Sequence, residues 1–509
     1  MPEDQPRPRR PAPQGAGRLT QAEQPAAPGA PSASRLARNT IFSAVGEGSN
    51  LLLFLLGFLA ARWLAPLAFG QYSAAFAYVG LFRMLPDLGM SYASTLAISR
   101  DRSQALRLVS NLLGFQAVLS LLTLALCLSL GRVLFEGVTW TAVLLLSLDL
   151  VLKAVKSTLR WLLKSFERFG AEAVSLAAER VAILVLGIAA LRGGYGVVGF
   201  VLVFALVRVV DTAGLALWVR ARVLAVEPAC DGALWWELLR RGLPYAYAGA
   251  AILMFFQVDQ VMLERMRGAA EVGYYGAPVR VLEGLTLVPR VLGYALIPTM
   301  AALHPASPGT IAALYGRGSK YLLLVGLPIA LFGLLMSEPF VLFVFGPEYG
   351  PSAAASRLLL PAAVFMFLSN FGETALACID RWRTIVVVST AALALNVGLN
   401  LLWIPHYGFE GAAWATLATE GTYFVLGAIA LFAYGYRISW LRLSVRPLAA
   451  AAAFAAVLWL TRGLGLFPAS ALASLTWVVA TFALGVWDQK EKDLAHSLVR
   501  RLLALGGAV

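Results

Sequence analysis

The chain carries fourteen stretches of roughly 20 mostly apolar residues, each long enough to cross the ~30 Å hydrocarbon core of a bilayer as a helix. Six lie near 41–61, 72–98, 105–130, 138–163, 174–191 and 195–218. Six more follow near 243–263, 275–301, 318–345, 356–378, 384–404 and 411–434, and a last pair near 447–463 and 467–487. With 59% hydrophobic and 14% charged residues over 509 positions, an all-α polytopic membrane protein is the expected class. Pro339 and Pro347 can divide the ninth segment, because proline removes a helix hydrogen bond.

The formal net charge of +13 fits either a polyanion-binding face or a topology signal, and its placement decides. Starting with the N-terminus inside, alternate connections hold 27 Lys and Arg on one side against 7 on the other. Retention of basic loops in the cytoplasm then puts both termini there and removes the main argument for nucleic acid. The expected division is a disordered basic cytoplasmic tail 1–38, a first lobe 39–222 (segments 1 to 6) and a cytoplasmic linker 223–242. A second lobe 243–435 (segments 7 to 12), an extra helix pair 436–489 and a cytoplasmic tail 490–509 complete it. Arg9-Arg10 stands too far ahead of the first apolar run to form a twin-arginine signal.

Two short motifs recur. Gly70-Gln71-Tyr72 matches Gly273-Tyr274-Tyr275 at an offset of 203, which also superposes Pro86 on Pro289. Tyr195-Gly196-x-x-Gly199 matches Tyr407-Gly408-x-x-Gly411 at an offset of 212. Repeats of six helices share one orientation, so two parallel lobes related about the membrane normal are expected, with a cavity between them.

At least sixteen ionisable residues fall inside the segments. At about 2.5–3.5 kcal/mol each at a helix centre, they cannot all face lipid. On the fourth segment Asp149, Lys153, Lys156 and Arg160 share a face and continue to Lys164, a cationic ladder. On the eighth, Arg280, Glu283 and Arg290 share a face beside a kink at Pro289, and on the second, Arg83 and Asp87 flank Pro86. Arg208 and Asp211 are three apart on the sixth. Arg83, Lys153, Lys156, Arg208, Arg280 and Arg290 are therefore candidates to line a cavity for an anionic head group such as a pyrophosphate. The competing reading is structural, with i,i+3 and i,i+4 ion pairs within each helix and snorkelling at the ladder's end. Glu47, Asp259, Glu373 and Glu420 lack a basic partner on their own helices and are candidates for coupling a proton or sodium ion, unless another helix supplies the partner. Cys127, Cys230, Cys378 and the three histidines show no metal-ligand spacing. Neither a phosphate-cradling loop nor a catalytic constellation is present, so no cofactor and no enzyme activity are expected.

Several stretches carry a resemblance: FFQVDQVMLERMRGAAEVGYYGAPVRVLEGL (255–285), VPRVLGYALIPTM (288–300), FVFGPEYGPSAAASRLL (343–359), NVGLNLLWIPHYGFEGAAWATLATE (396–420) and LAPLAFGQYSAAFAYVGLFRMLPDLGMSYA (64–93). Together they resemble the polysaccharide (O-antigen type) flippases of the multidrug/oligosaccharidyl-lipid/polysaccharide exporter superfamily, over roughly residues 38 to 490. The resemblance implies a two-lobed transporter in a bacterial cytoplasmic membrane that moves a polyprenyl-pyrophosphate-linked oligosaccharide to the outer leaflet by alternating access. Expected partners are that glycolipid, the bilayer, and polymerase or assembly proteins of polysaccharide synthesis. Rival readings are a lipid II flippase or a cation-coupled drug antiporter of the same superfamily, and a membrane glycosyltransferase or polymerase. The extra helix pair and the interior arginines argue against the drug antiporter.

Overall fold

A computed structural model describes residues 48–91, 101–223, 227–304 and 306–489, with isolated positions beside them (42, 46, 94, 98, 491 and 493). The expected 1–38 tail, Glu47 and most of 490–509 lie outside the described residues. Among the described residues the chain is helical, without strands. The helices are α1 (Asn50–Trp63), α2 (Pro66–Leu81), α3 (Ala105–Leu134), α4 (Gly137–Ser165), α5 (Phe169–Arg192), α6 (Gly196–Arg222) and α7 (Gly232–Arg267). They continue with α8 (Ala269–Leu285), α9 (Leu287–Leu303), α10 (Pro308–Val344), α11 (Ser352–Cys378), α12 (Trp382–Ala433), α13 (Trp440–Thr461) and α14 (Leu466–Ala483). Among the described residues, ten stretches are long and apolar enough to cross a membrane, α8 and α9 counting as one. The chain is a multi-pass membrane protein.

The irregularities follow from proline and glycine. α2 stops at Leu81, turn residues 82–89 carry Pro86, and helix resumes at Met90. The break in the eighth segment falls at Thr286, three residues before Pro289. α10 persists past Pro339, with one non-helical residue, Met336, in the turn whose hydrogen bond that proline removes. α12 holds the eleventh and twelfth segments, which reverse at Gly408 with φ 56°. Its repeat equivalent Gly196 has φ 62°, so the second motif marks the same left-handed corner in both lobes. Asp231 caps α7, its carboxylate accepting from the Ala233 and Leu234 N–H groups at 3.2 Å, so helix begins inside the linker expected at 223–242.

The first motif marks the crossing of the lobes. A Cβ on Gly70 would stand 1.7 Å from the Ala269 carbonyl oxygen, and one on Gly273 would stand 1.9 Å from that of Pro66. Because the offset of 203 relates Gly70 to Gly273 and Pro66 to Ala269, the contact is reciprocal: α2 and α8 meet backbone to backbone at their N-terminal turns. The same end carries further bonds between lobes. Tyr349 Oη donates to Leu64 O at 2.9 Å, Arg62 donates to Phe343 O and Val344 O at 2.5 and 2.8 Å, and Thr139 donates to Glu264 at 3.4 Å. At the opposite end the linker holds α7 to α3: Asn111 Oδ1 accepts from the Asp231 N–H at 2.7 Å, and Trp235 stacks on Phe115 at 4.9 Å. Helices α13 and α14 pack on each other and against α10.

Candidate functional site

Charged residues spaced three and four apart fix which face of α4 turns inward. Asp149, Lys153, Lys156, Arg160 and Lys164 line a cavity of about 300 Å³, joined by Asn50 of α1, Arg83 of the turn after α2, Glu172, Glu179 and Arg180 of α5, and Arg208 of α6. Glu179 is the hub: Lys156 Nζ lies 2.9 Å away, Arg160 2.8 Å, Arg180 3.2 Å and Arg208 3.8 Å, with the Glu179 side chain 1% exposed. Asp149 pairs with Arg208 at 2.8 Å and Arg83 at 3.3 Å. Asp211 takes Arg160 at 3.1 Å and Lys156 at 3.6 Å, while Lys164 reaches Glu172 at 3.5 Å and caps the Trp161 ring at 4.9 Å.

The network is not neutral. Seven cations (Arg83, Lys153, Lys156, Arg160, Lys164, Arg180 and Arg208) line it or pair into it, against four carboxylates (Asp149, Glu172, Glu179 and Asp211), a surplus of three. Lys153 has no carboxylate within ion-pair distance among the described residues. The buried Nε atoms of Arg83, Arg160 and Arg180 have no hydrogen-bond partner there. Buried charge without full pairing is costly, so the arrangement leaves donors and field for an anion.

Several expectations need correction. The cavity that the α4 ladder lines lies inside the first lobe, because α5 and α6 hold the acids Glu179 and Asp211 that draw the ladder in; it is separate from the space expected between the lobes. The same-helix pairs of the structural reading do not form for Arg83 with Asp87 or Arg208 with Asp211. Arg83 and Arg208 both cross to Asp149, while Asp87 accepts from Ser91 and from Gln116 at 2.6 Å. Arg280 does pair with Glu283, at 2.8 Å, and stacks over Phe76 at 5.2 Å and Tyr72 at 6.0 Å where the lobes meet. The break at Thr286 puts Arg290 on the next helix, where it is exposed and separate from the α4 cavity. Sequence reasoning undervalued Glu179, whose only signal was an acid beside Arg180 in an otherwise apolar segment.

The second-lobe acids find neutral partners from other helices. Asp259 is buried, with Tyr275 Oη at 2.7 Å, Thr416 Oγ1 at 3.0 Å and Asn400 Nδ2 at 3.0 Å. Glu420 is buried beside the Ser369 hydroxyl at 3.2 Å, and Glu373 accepts from Tyr423 at 3.2 Å. Glu373 also borders a cavity of about 540 Å³ with His304, Asn370 and Asp380. Among the described residues no group of three His, Cys, Asp or Glu side chains is arranged to hold a metal ion.

Two repeats crossing at α2 and α8, an appended helix pair and a charged interior cavity define the class as a polytopic membrane protein with a polar interior, and similar proteins are known. The family described as polysaccharide biosynthesis protein matches residues 36–304, and the chain belongs to it. A Shigella flexneri protein assigned as an O-antigen transporter is 24% identical over 406 residues, covering 74% of this chain and 93% of its own. An uncharacterized membrane protein of Methanocaldococcus jannaschii is 22% identical over 196 residues, so the chain spans only 46% of that relative. Among solved structures, the lipid II flippase MurJ in an inward closed conformation has TM-score 0.72 at 12% identity, covering 88% of this chain and 98% of its own. An inward-facing MATE family multidrug transporter of the MOP superfamily has TM-score 0.59 at 16% identity, covering 78% and 99%. The chain shares the two-lobed helical fold of these solved transporters, as its sequence implies.

Proposed function

We propose that this protein turns a polyprenyl-pyrophosphate-linked oligosaccharide from the inner to the outer leaflet of a bacterial cytoplasmic membrane by alternating access, both termini being cytoplasmic. The surplus of three positive charges around Lys153 carries this reading. A pyrophosphate brings negative charge and many acceptors, and buried guanidinium N–H groups without partners match them. Arg83, Lys153, Lys156 and Arg208 are the proposed ligands of the pyrophosphate, with Arg280 and Arg290 meeting it later on its path between the lobes.

At about 300 Å³ the cavity is at the small end for ligand sites, enough for a head group and too small for a glycan. The sugar therefore extends between the lobes while the prenyl chain stays in lipid. In the orientation that charge counting favours, the Gly70/Gly273 crossing seals the outer end and the cavity serves the cytoplasmic leaflet. The breaks at Pro86 and beside Pro289 are the proposed hinges of the lobe motion. Asp259, Glu373 and Glu420, held by neutral donors, are candidates to carry a coupling proton or sodium ion.

Deletion in the native host tests the reading. The lipid-linked repeat unit is expected to accumulate on the inner leaflet, restored by the wild-type gene and not by Lys153→Gln. A changed glycan length distribution without that accumulation would indicate a polymerase or glycosyltransferase instead. The fit to a lipid II flippase favours a second reading, in which lipid II accumulates after depletion. A positive cavity disfavours cationic drugs as cargo.

A further inference from the structure

A second basic recess, of about 720 Å³, lies where α13 packs on α10, remote from the α4 cavity. Arg317 and Lys320 reach it from α10, Arg442 and Arg446 from α13, and Val486 and Asp488 close it from the segment after α14. Lys320 is already neutralised: both Glu491 oxygens lie 2.7 Å from its Nζ. Arg446 donates only to a carbonyl, Gly485 O at 2.6 Å. Arg317 and Arg442 have no hydrogen-bond or ion-pair partner among the described residues. Three guanidiniums thus converge without a carboxylate at ion-pair distance. The first turn of α13 adds N–H groups that no side chain caps, at the positive end of the helix dipole.

The rim of the recess points to lipid as the source of the anion. Leu441 and Val445, 77% and 52% exposed, alternate with Arg442 and Arg446 at the start of the apolar stretch Trp440–Leu464, which is long enough to span a membrane. Cations beside exposed aliphatic side chains at the mouth of a spanning helix suit a phosphate whose acyl chains lie along that helix. The volume falls within the ~300–1,000 Å³ usual for small-molecule sites.

We propose that this recess binds the head group of an anionic phospholipid, which bridges α13 to α10 and fastens the appended helix pair to the second lobe. The test uses the full chain in detergent, with native mass spectrometry after titration with phosphatidylglycerol, phosphatidylcholine or inorganic phosphate. Wild type is expected to retain phosphatidylglycerol in preference to phosphatidylcholine. Arg442→Gln, at an exposed side chain without a hydrogen-bond or ion-pair partner among the described residues, is expected to weaken retention about fivefold, and R317Q/R442Q/R446Q roughly hundredfold. The double variant R265Q/R357Q, which removes arginines elsewhere, is expected to leave it unchanged. Equal retention of phosphatidylglycerol by wild type and R442Q would overturn the proposal, as would equal binding of the two lipids. Displacement of the lipid by inorganic phosphate would overturn the lipid assignment in favour of a soluble anion.

Discussion

Replacing Gly70 or Gly273 by alanine tests how the lobes are closed. An added Cβ would sit 1.7 Å from Ala269 O at position 70 and 1.9 Å from Pro66 O at position 273, where ordinary contact begins near 3.4 Å. Both obstacles are backbone, so no side chain can swing aside, and α2 and α8 must part by at least about 1.5 Å. Such overpacking costs about 1–3 kcal/mol. The cost falls only on the arrangement in which the two helices cross here, so the equilibrium moves about 5–150-fold towards the arrangement in which they separate. The assay is a spin-label distance between positions 67 and 342, exposed leucines beside the closed end that leave the Arg62 bond to Phe343 O in place, in a background lacking Cys127, Cys230 and Cys378. Wild type should give a short distance, and G70A and G273A should each add a longer population of similar size because the contact is reciprocal. Gly398→Ala is the control: nothing lies within 4 Å of its Cβ, and alanine favours the helix there by up to about 1 kcal/mol. Unchanged distance distributions in both variants would refute the seal.

Four further outcomes are expected. Glu179→Gln removes the acid that several buried cations share and should cost about 3–5 kcal/mol, seen as a lower thermal midpoint in detergent, whereas Lys153→Gln, at a residue without an ion-pair partner, should leave that midpoint nearly unchanged. Asp259→Asn should preserve folding while removing the dependence of transport on the proton or sodium gradient; unchanged dependence would exclude it from coupling. Gly408→Ala should lower expression, since φ is 56° and the Cβ would meet the Glu271 carboxylate at 2.3 Å. Hydrogen bonds from the Leu234 N–H and from Arg107 hold the Asp231 carboxyl below its usual range. The depressed value means that its contribution is complete above the ordinary carboxylate range and is lost only as pH falls through the lower folded value. Hydrogen exchange at the Ala233 and Leu234 amides should therefore stay protected down to about pH 4. Loss of protection near pH 6 would contradict the cap.

What the sequence makes legible follows the range of the physics. Helical spacing is local, so the α4 ladder from Asp149 to Lys164 could be read from intervals of three and four residues. The recurring Gly70/Gly273 and Gly196/Gly408 motifs were legible as repeats, and the structure supplies their cause in a backbone crossing and a left-handed corner. Partner choice between helices was not legible. Arg83 and Arg208 have acids three or four residues away on their own chain segments, yet both turn to Asp149, because helix packing rather than sequence separation brings that carboxylate nearest. The same limit hid the role of Glu179 in gathering the α4 cations inside the first lobe. The eighth segment read as one continuous face, and the break at Thr286 divides Arg290 from Arg280.

The central proposal is that the α4 cavity carries a pyrophosphate-linked glycan across the bilayer, and reconstitution tests it most directly. Purified protein in proteoliposomes loaded on one leaflet with polyprenyl-pyrophosphate oligosaccharide would be assayed for glycan accessible to an enzyme on the other. Wild type should transfer the glycan, with Lys153→Gln folded but at least tenfold slower. Equal rates for wild type, K153Q and protein-free vesicles would contradict the account.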